Sequence, residues 1–317
     1  MPTIVQRSPS GRSLSVQGAM ALTGVAALVV LAGCSSSGAA VANGTISAVG
    51  AENEYANVLS QIGGRYVHVS AVLDNPNTDP HTFEASPQVA QEIGSAQLIV
   101  QNGVGYDSWM NRIESASPNT TRKVITVQQV LGLPASTPNP HLWYSPATMP
   151  AVAKVMAADL SALQPAHKAF FQARLKAFNR SLAPWRKAIA QFKAKYPGTR
   201  AATTEPVADY LLTALGITNL TPFRFQANVM NGVDPAPQDI ALENGLFTQH
   251  KAQLFAYNQQ VTDALTTSIR DNALKAGVPV VGVYETMPAG YNYQNWMLAE
   301  VNAIGKAVAS KTSTQKL

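Results

Sequence analysis

Cysteine and histidine are scarce in this chain, at one and five of 317 residues. A single cysteine, Cys34, excludes an internal disulfide. Charge is sparse too: 13% of residues are charged, with no basic run. The formal charge of +5 falls to +3 once the two arginines of the leader, Arg7 and Arg12, are set aside. That excess is too small and too scattered for a nucleic-acid surface. No HExxH motif occurs, and no apolar run after the leader is long enough to span a membrane. Glycine is missing from Pro146 to Phe192, which excludes frequent tight turns there and leaves room for long helices.

What is present begins with an export signal. Arg7 and Arg12 precede the apolar stretch "GAMALTGVAALVVLAGC", the layout of a secretory leader, so residues 1–33 are read as a signal peptide. The terminal "LAGC" is similar to a bacterial lipobox, which implies lipidation of Cys34 and a lipidated tether over 34–44. The polar "SSSGAAVANG" suits such a tether. The expected location is the outer face of the cytoplasmic membrane, held by the lipid anchor. The remaining length suits two domains.

Strand and helix signals then alternate. "GTISAVGA", "YVHVSAVL", "LIVQNG" and "KVITV" read as strands, separated by "ENEYANVLSQIGG", "SPQVAQEIGSA" and "YDSWMNRIESA" as helices. From Pro146 the pattern becomes purely helical, with one segment of about thirty residues (about 45 Å) that Pro184 should kink. "TRAATT" restarts the alternation, with "EPVADYLLTALG" as the helix that follows. The fold class expected is α/β: two Rossmann-like parallel-sheet lobes, 45–162 and 197–317, joined by one long rigid helix at 163–196.

Open parallel sheets bind ligands at the carboxyl ends of their strands. Four residues able to hold a metal occupy such turns: His81 in "NTDPHTFEAS", His141 in "NPHLWYSP", Glu205 after "TRAATT" and Glu285 after "VPVVGVY". Two come from each lobe, so a cleft between the lobes would collect them around one ion. His68, His167 and His250 lie in strand, polar-turn and lysine-flanked contexts that suit ordinary solvated or packed rings. Asp79 and Glu84 flank His81 and are expected to orient it. Trp143, Trp296 and Tyr284 are expected as a dry wall or as ordinary core.

The Asp-Pro-His-Thr-aromatic-Glu block and the Pro-His-x-Trp block resemble those of the metal-binding solute-binding lipoproteins of bacterial ABC transporters, the zinc/manganese type. "VPVVGVYETMPAG" with "YQNWM" is similar to the family's last ligand segment. The resemblance runs from about Thr45 onward. It implies His81, His141, Glu205 and Glu285 as metal ligands, a divalent transition metal as cargo, and an ABC permease as partner of a monomer. Zinc-type members carry a His-rich loop between the first two ligands and a third histidine; 115–139 here has no histidine, and Glu205 stands at the third position. Carboxylates suit Mn2+ and imidazoles suit Zn2+. The expected order is therefore Mn2+, then Zn2+, with Fe2+ third. Two other classes stay open at this point: a hydrolytic zinc enzyme using two His and a Glu, and an adhesive or structural lipoprotein stabilised by metal.

Overall fold

The computed structural model describes residues 44–76 and 83–317. Its first sheet is built from β1 (Ile46–Glu52), α1 (Asn53–Gly63), β2 (Val67–Leu73), α2 (Pro87–Ser95), β3 (Leu98–Gln101), α3 (Ser108–Ala116) and β4 (Lys123–Thr126). A single-turn α4 (Val127–Val130) follows, then α5 (Thr148–Leu163). All pairings are parallel, in the order β2-β1-β3-β4. Burial explains the composition: β3 reads Leu-Ile-Val-Gln with every side chain buried, as a strand covered on both faces requires. Ser86 caps α2 by accepting from the Val89 amide, with Pro87 in the first turn, as its sequence predicts.

The long helical stretch forms α6 (Lys168–Ser181) and α7 (Ala183–Lys195), with Leu182 alone between them. Leu182 keeps right-handed helical backbone at φ −78° and ψ −7°, and Pro184 sits in the first turn of α7, where its missing N–H costs least, so the long joining helix is kinked here, as expected. The α6 segment packs on α1 and α5, and α7 packs on α8 and α12, defined below.

The second sheet repeats the design with β5 (Arg200–Thr203), α8 (Asp209–Leu215), β6 (Thr218–Asn219), α9 (Phe223–Met230), α10 (Pro237–Thr248), β7 (Leu254–Asn258), α11 (Ala264–Lys275), β8 (Val280–Val283) and α12 (Tyr293–Ser310). It is parallel, in the order β6-β5-β7-β8. The expected helix at "EPVADYLLTALG" starts only at Asp209, leaving Glu205 in an irregular turn rather than at a helix end. Gly216 closes it at φ 75°, a conformation glycine adopts without penalty. The two-residue β6 and the short α9 lie between Gly216 and Asn231, where the sequence pattern assigns no element. Past α12 the tail pairs alongside β8, the Gly282 amide donating to Thr314 O at 2.8 Å, which covers that sheet edge.

One apolar core runs through both sheets: Ile46, Leu98 and Trp143 belong to the same buried cluster as Trp185, Leu254 and Trp296. Two smaller clusters sit under the outer helices of each sheet. Among the described residues no helix is long and apolar enough to cross a membrane.

Candidate metal centre

Each sheet changes winding direction beside its central strand, between β1 and β3 in the first and between β5 and β7 in the second. Such switch points open crevices at the strands' carboxyl ends. Glu205 lies two residues past β5, Asn258 ends β7, and Glu285 lies two residues past β8. The first lobe brings His141 and Tyr106 to the same place.

His141 is fully buried, and its environment fixes its tautomer. Asn139 Oδ1 accepts from the His141 amide at 3.0 Å and lies 2.8 Å from Nδ1. The Asn139 amide nitrogen donates to Pro206 O at 2.7 Å, which assigns oxygen to the end facing the ring. Nδ1–H therefore donates to Asn139, which turns Nε2 toward Glu285. Asn102 holds the preceding carbonyl, Pro140 O, at 2.8 Å. The ring meets Trp143 edge-on with centroids 5.4 Å apart, so that tryptophan forms part of the wall. Trp296 instead packs on Tyr144 and donates to Glu300, within the core.

Nε2 lies 3.2 Å from Glu285 Oε2. Two donors that bind one ion at about 2.0–2.2 Å stand about this far apart, so the pair is spaced for a shared cation. Glu285 Oε1 accepts from Asn258 Nδ2 at 2.7 Å, and the same amide nitrogen reaches Glu205 Oε1 at 3.0 Å. Asn258 thus gathers the two carboxylates. Gln260 Oε1 accepts from the amides of Glu285 and Thr286, which fixes the backbone under Glu285. Glu205 and Glu285 are 2% and 1% exposed. Two carboxylates so withdrawn from water are costly without a counter-charge, and a divalent cation supplies one.

His141 and Glu285 therefore meet directly, and Glu205 joins them through Asn258. Among the described residues, however, no three His, Cys, Asp or Glu side chains are gathered closely enough to hold an ion. His81, Asp79 and Cys34 lie outside the described residues. Glu84 and His68 are exposed, as is His250, while His167 stacks on Tyr66 with centroids 3.7 Å apart. None of these three histidines is part of the centre.

Several residues were missed in the sequence. Asn258, Asn139 and Tyr106 act through tertiary contacts that no local period announces. Glu52, Glu54 and Asp107 are buried behind Tyr106. Burial, then the neighbouring Asp107, raises the Glu52 carboxyl well above its usual range. Burial raises Glu54 as well, with Glu285 adding to the effect. Asp107 rises to about 6 through burial, despite the amides of Gly103 and Asn102 that donate to it. "ENEY" read only as a helix start; two acids directly after a buried central strand were the available signal.

Asn258→Ala is expected to lower metal affinity about 10–100-fold, the range for partners that orient ligands, with little change in fold. Calorimetric titration checks it, and an unchanged affinity contradicts the gathering role.

The family model "ZnuA: Zinc-uptake complex component A periplasmic" matches residues 49–307. The manganese ABC transporter substrate-binding lipoprotein PsaA of Streptococcus mitis is 22% identical over 300 residues, covering 89% of this chain and 96% of its own. The periplasmic zinc binding protein TroA from Treponema pallidum superposes with a TM-score of 0.71 at 19% identity, over 85% of this chain and all of that one. The solute-binding protein FpvC from Pseudomonas aeruginosa, solved with Mn2+, gives 0.69 at 20% identity, over 84% and 99%. These relatives are substrate-binding proteins, not enzymes.

Proposed function

Since the chain belongs to the ZnuA family of metal-binding substrate-binding proteins of ABC transporters, we propose that it captures Mn2+, and Zn2+ second, and delivers the ion to a membrane permease. The reading is carried by one observation: a buried imidazole nitrogen and a buried carboxylate oxygen converge at 3.2 Å, with a second buried carboxylate tied to the first by Asn258. His141, Glu205 and Glu285 are the proposed ligands from the described residues, and His81 completes the set. The site lies between lobes 45–162 and 197–317, with 163–196 as connector.

Two carboxylates neutralise a divalent charge and favour a harder ion, while two imidazoles retain affinity for zinc. Cys34 is proposed as the lipidated residue that holds the protein at the membrane beside its permease. Cells lacking the chain should take up less manganese from limiting medium, and the intact gene should restore uptake. The Cys34→Ser protein should leave the membrane fraction while still binding metal. Undiminished manganese and zinc uptake without the chain would refute the transport role, and a membrane-bound Cys34→Ser variant would refute the anchor.

A further inference from the structure

Glu285 is tethered at both ends of its carboxylate. Oε1 accepts from Asn258 at 2.7 Å, and Oε2 accepts from the Tyr106 hydroxyl at 3.0 Å. With a donor fixed on each oxygen, the group cannot turn about its terminal torsion without losing a hydrogen bond. The oxygen that faces His141 Nε2 is Oε2, the one that Tyr106 holds.

Tyr106 is itself placed at a cost. Gly103, Val104 and Gly105 all have positive φ, at 82°, 55° and 79°. Two glycines adopt that conformation freely, but a β-branched valine does so only under strain. The turn is held against this strain from several sides. The Val104 amide donates to Gln128 Oε1 at 2.9 Å, and the Gly103 amide donates to Asp107 Oδ1 at 2.9 Å. A side chain at Gly103 would meet Gln128 at 2.9 Å. The Tyr106 ring then packs edge-on against Trp143 (5.2 Å) and His141 (5.9 Å), aiming the hydroxyl across to a carboxylate of the other lobe. Strain of this kind persists where the surroundings over-determine a position that function uses.

We propose that Tyr106 is a specificity-determining residue: its hydroxyl restrains Glu285 to one-oxygen binding and so limits the coordination number the site offers. The proposal rests on Glu285 being a metal ligand. Zinc is content with four donors, whereas harder divalent ions accept more oxygens. The restraint thus opposes the manganese preference conferred by the two carboxylates and keeps zinc competitive. Without the hydroxyl, Glu285 keeps only the Asn258 hydrogen bond on Oε1 and can tilt until both oxygens face the ion.

The test is Tyr106→Phe, which removes one oxygen atom and keeps the ring. Parent and variant are compared by Mn2+/Zn2+ competition and by the visible absorption of their Co2+ forms, whose bands weaken as coordination number rises. The variant should shift the Mn2+:Zn2+ preference at least threefold toward manganese and show weaker Co2+ bands. An unchanged ratio with unchanged bands overturns the proposal, as does an equal loss of both metals with unchanged bands, which marks mere structural support. Gln128→Ala, which loosens the turn through the Val104 amide, should give the same direction and carries the test if Tyr106→Phe does not fold. A parent that binds none of the three ions overturns the proposed function and this inference together.

Discussion

Replacing His141 with alanine should lower Mn2+ and Zn2+ affinity at least 100-fold, while His68→Ala, His167→Ala and His250→Ala leave it nearly unchanged. His141 is fully buried, its Nδ1 side is committed to Asn139, and Nε2 faces Glu285 Oε2. Its removal takes away a donor atom and also leaves buried carboxylates facing an apolar gap. A hundredfold loss corresponds to about 2.8 kcal/mol, a moderate figure for one ligand of a closed site. The other three rings lie on the surface or against Tyr66, away from the centre. Calorimetric titration of the four variants against parent protein separates these cases. Equal losses across all four would mean that His141 is not a ligand.

Stability should fall as pH rises from about 5 to about 8, and Glu300→Gln should remove part of that fall. Burial pushes the Glu300 carboxyl up to about 8 despite the donors Trp296 and Tyr144, and burial pushes Glu243 up to about 8 despite Thr221. Below the ordinary carboxylate value of 4.5 both folded and unfolded forms hold the proton, so nothing is lost there. Between 4.5 and about 8 the unfolded chain ionises while the folded one does not, and the native state loses ground throughout that window. The full loss is on the order of several kcal/mol per group. Glutamine keeps the acceptor oxygen for Tyr144 and Trp296 and cannot ionise. Thermal unfolding at pH 5 and pH 8 reads the effect: the Glu300→Gln midpoint should gain on the parent's at the higher pH by several degrees. Parallel pH profiles would show that Glu300 keeps its ordinary titration in the folded state.

The same Glu300 shows where sequence reading reaches its limit. Parallel lobes were legible because strand and helix periods alternate, and because β1, β3, β7 and β8 are apolar runs of strand length. His141 was legible because proline restricts the chain before it and tryptophan follows. Asn258 was not: it closes "LFAYN" as one more polar residue, and its role depends on two carboxylates 53 and 27 residues away. Tyr106 likewise acts on a residue 179 positions distant. The kink at Leu182 was legible because Pro184 removes an N–H from an otherwise continuous helical pattern. Glu205 was placed at a helix start by its proline neighbour, yet α8 begins four residues later, and the intervening turn sets Pro206 O on Asn139.

Where the metal ion sits decides whether His141, Glu205 and Glu285 are its ligands. Diffraction from crystals of the manganese-loaded protein, measured for anomalous scattering at the manganese edge, locates it without assumptions about ligands. The predicted result is one strong peak at about 2.0–2.3 Å from His141 Nε2 and from an oxygen of each of Glu205 and Glu285. A fully loaded protein whose peak lies away from these three side chains would contradict it.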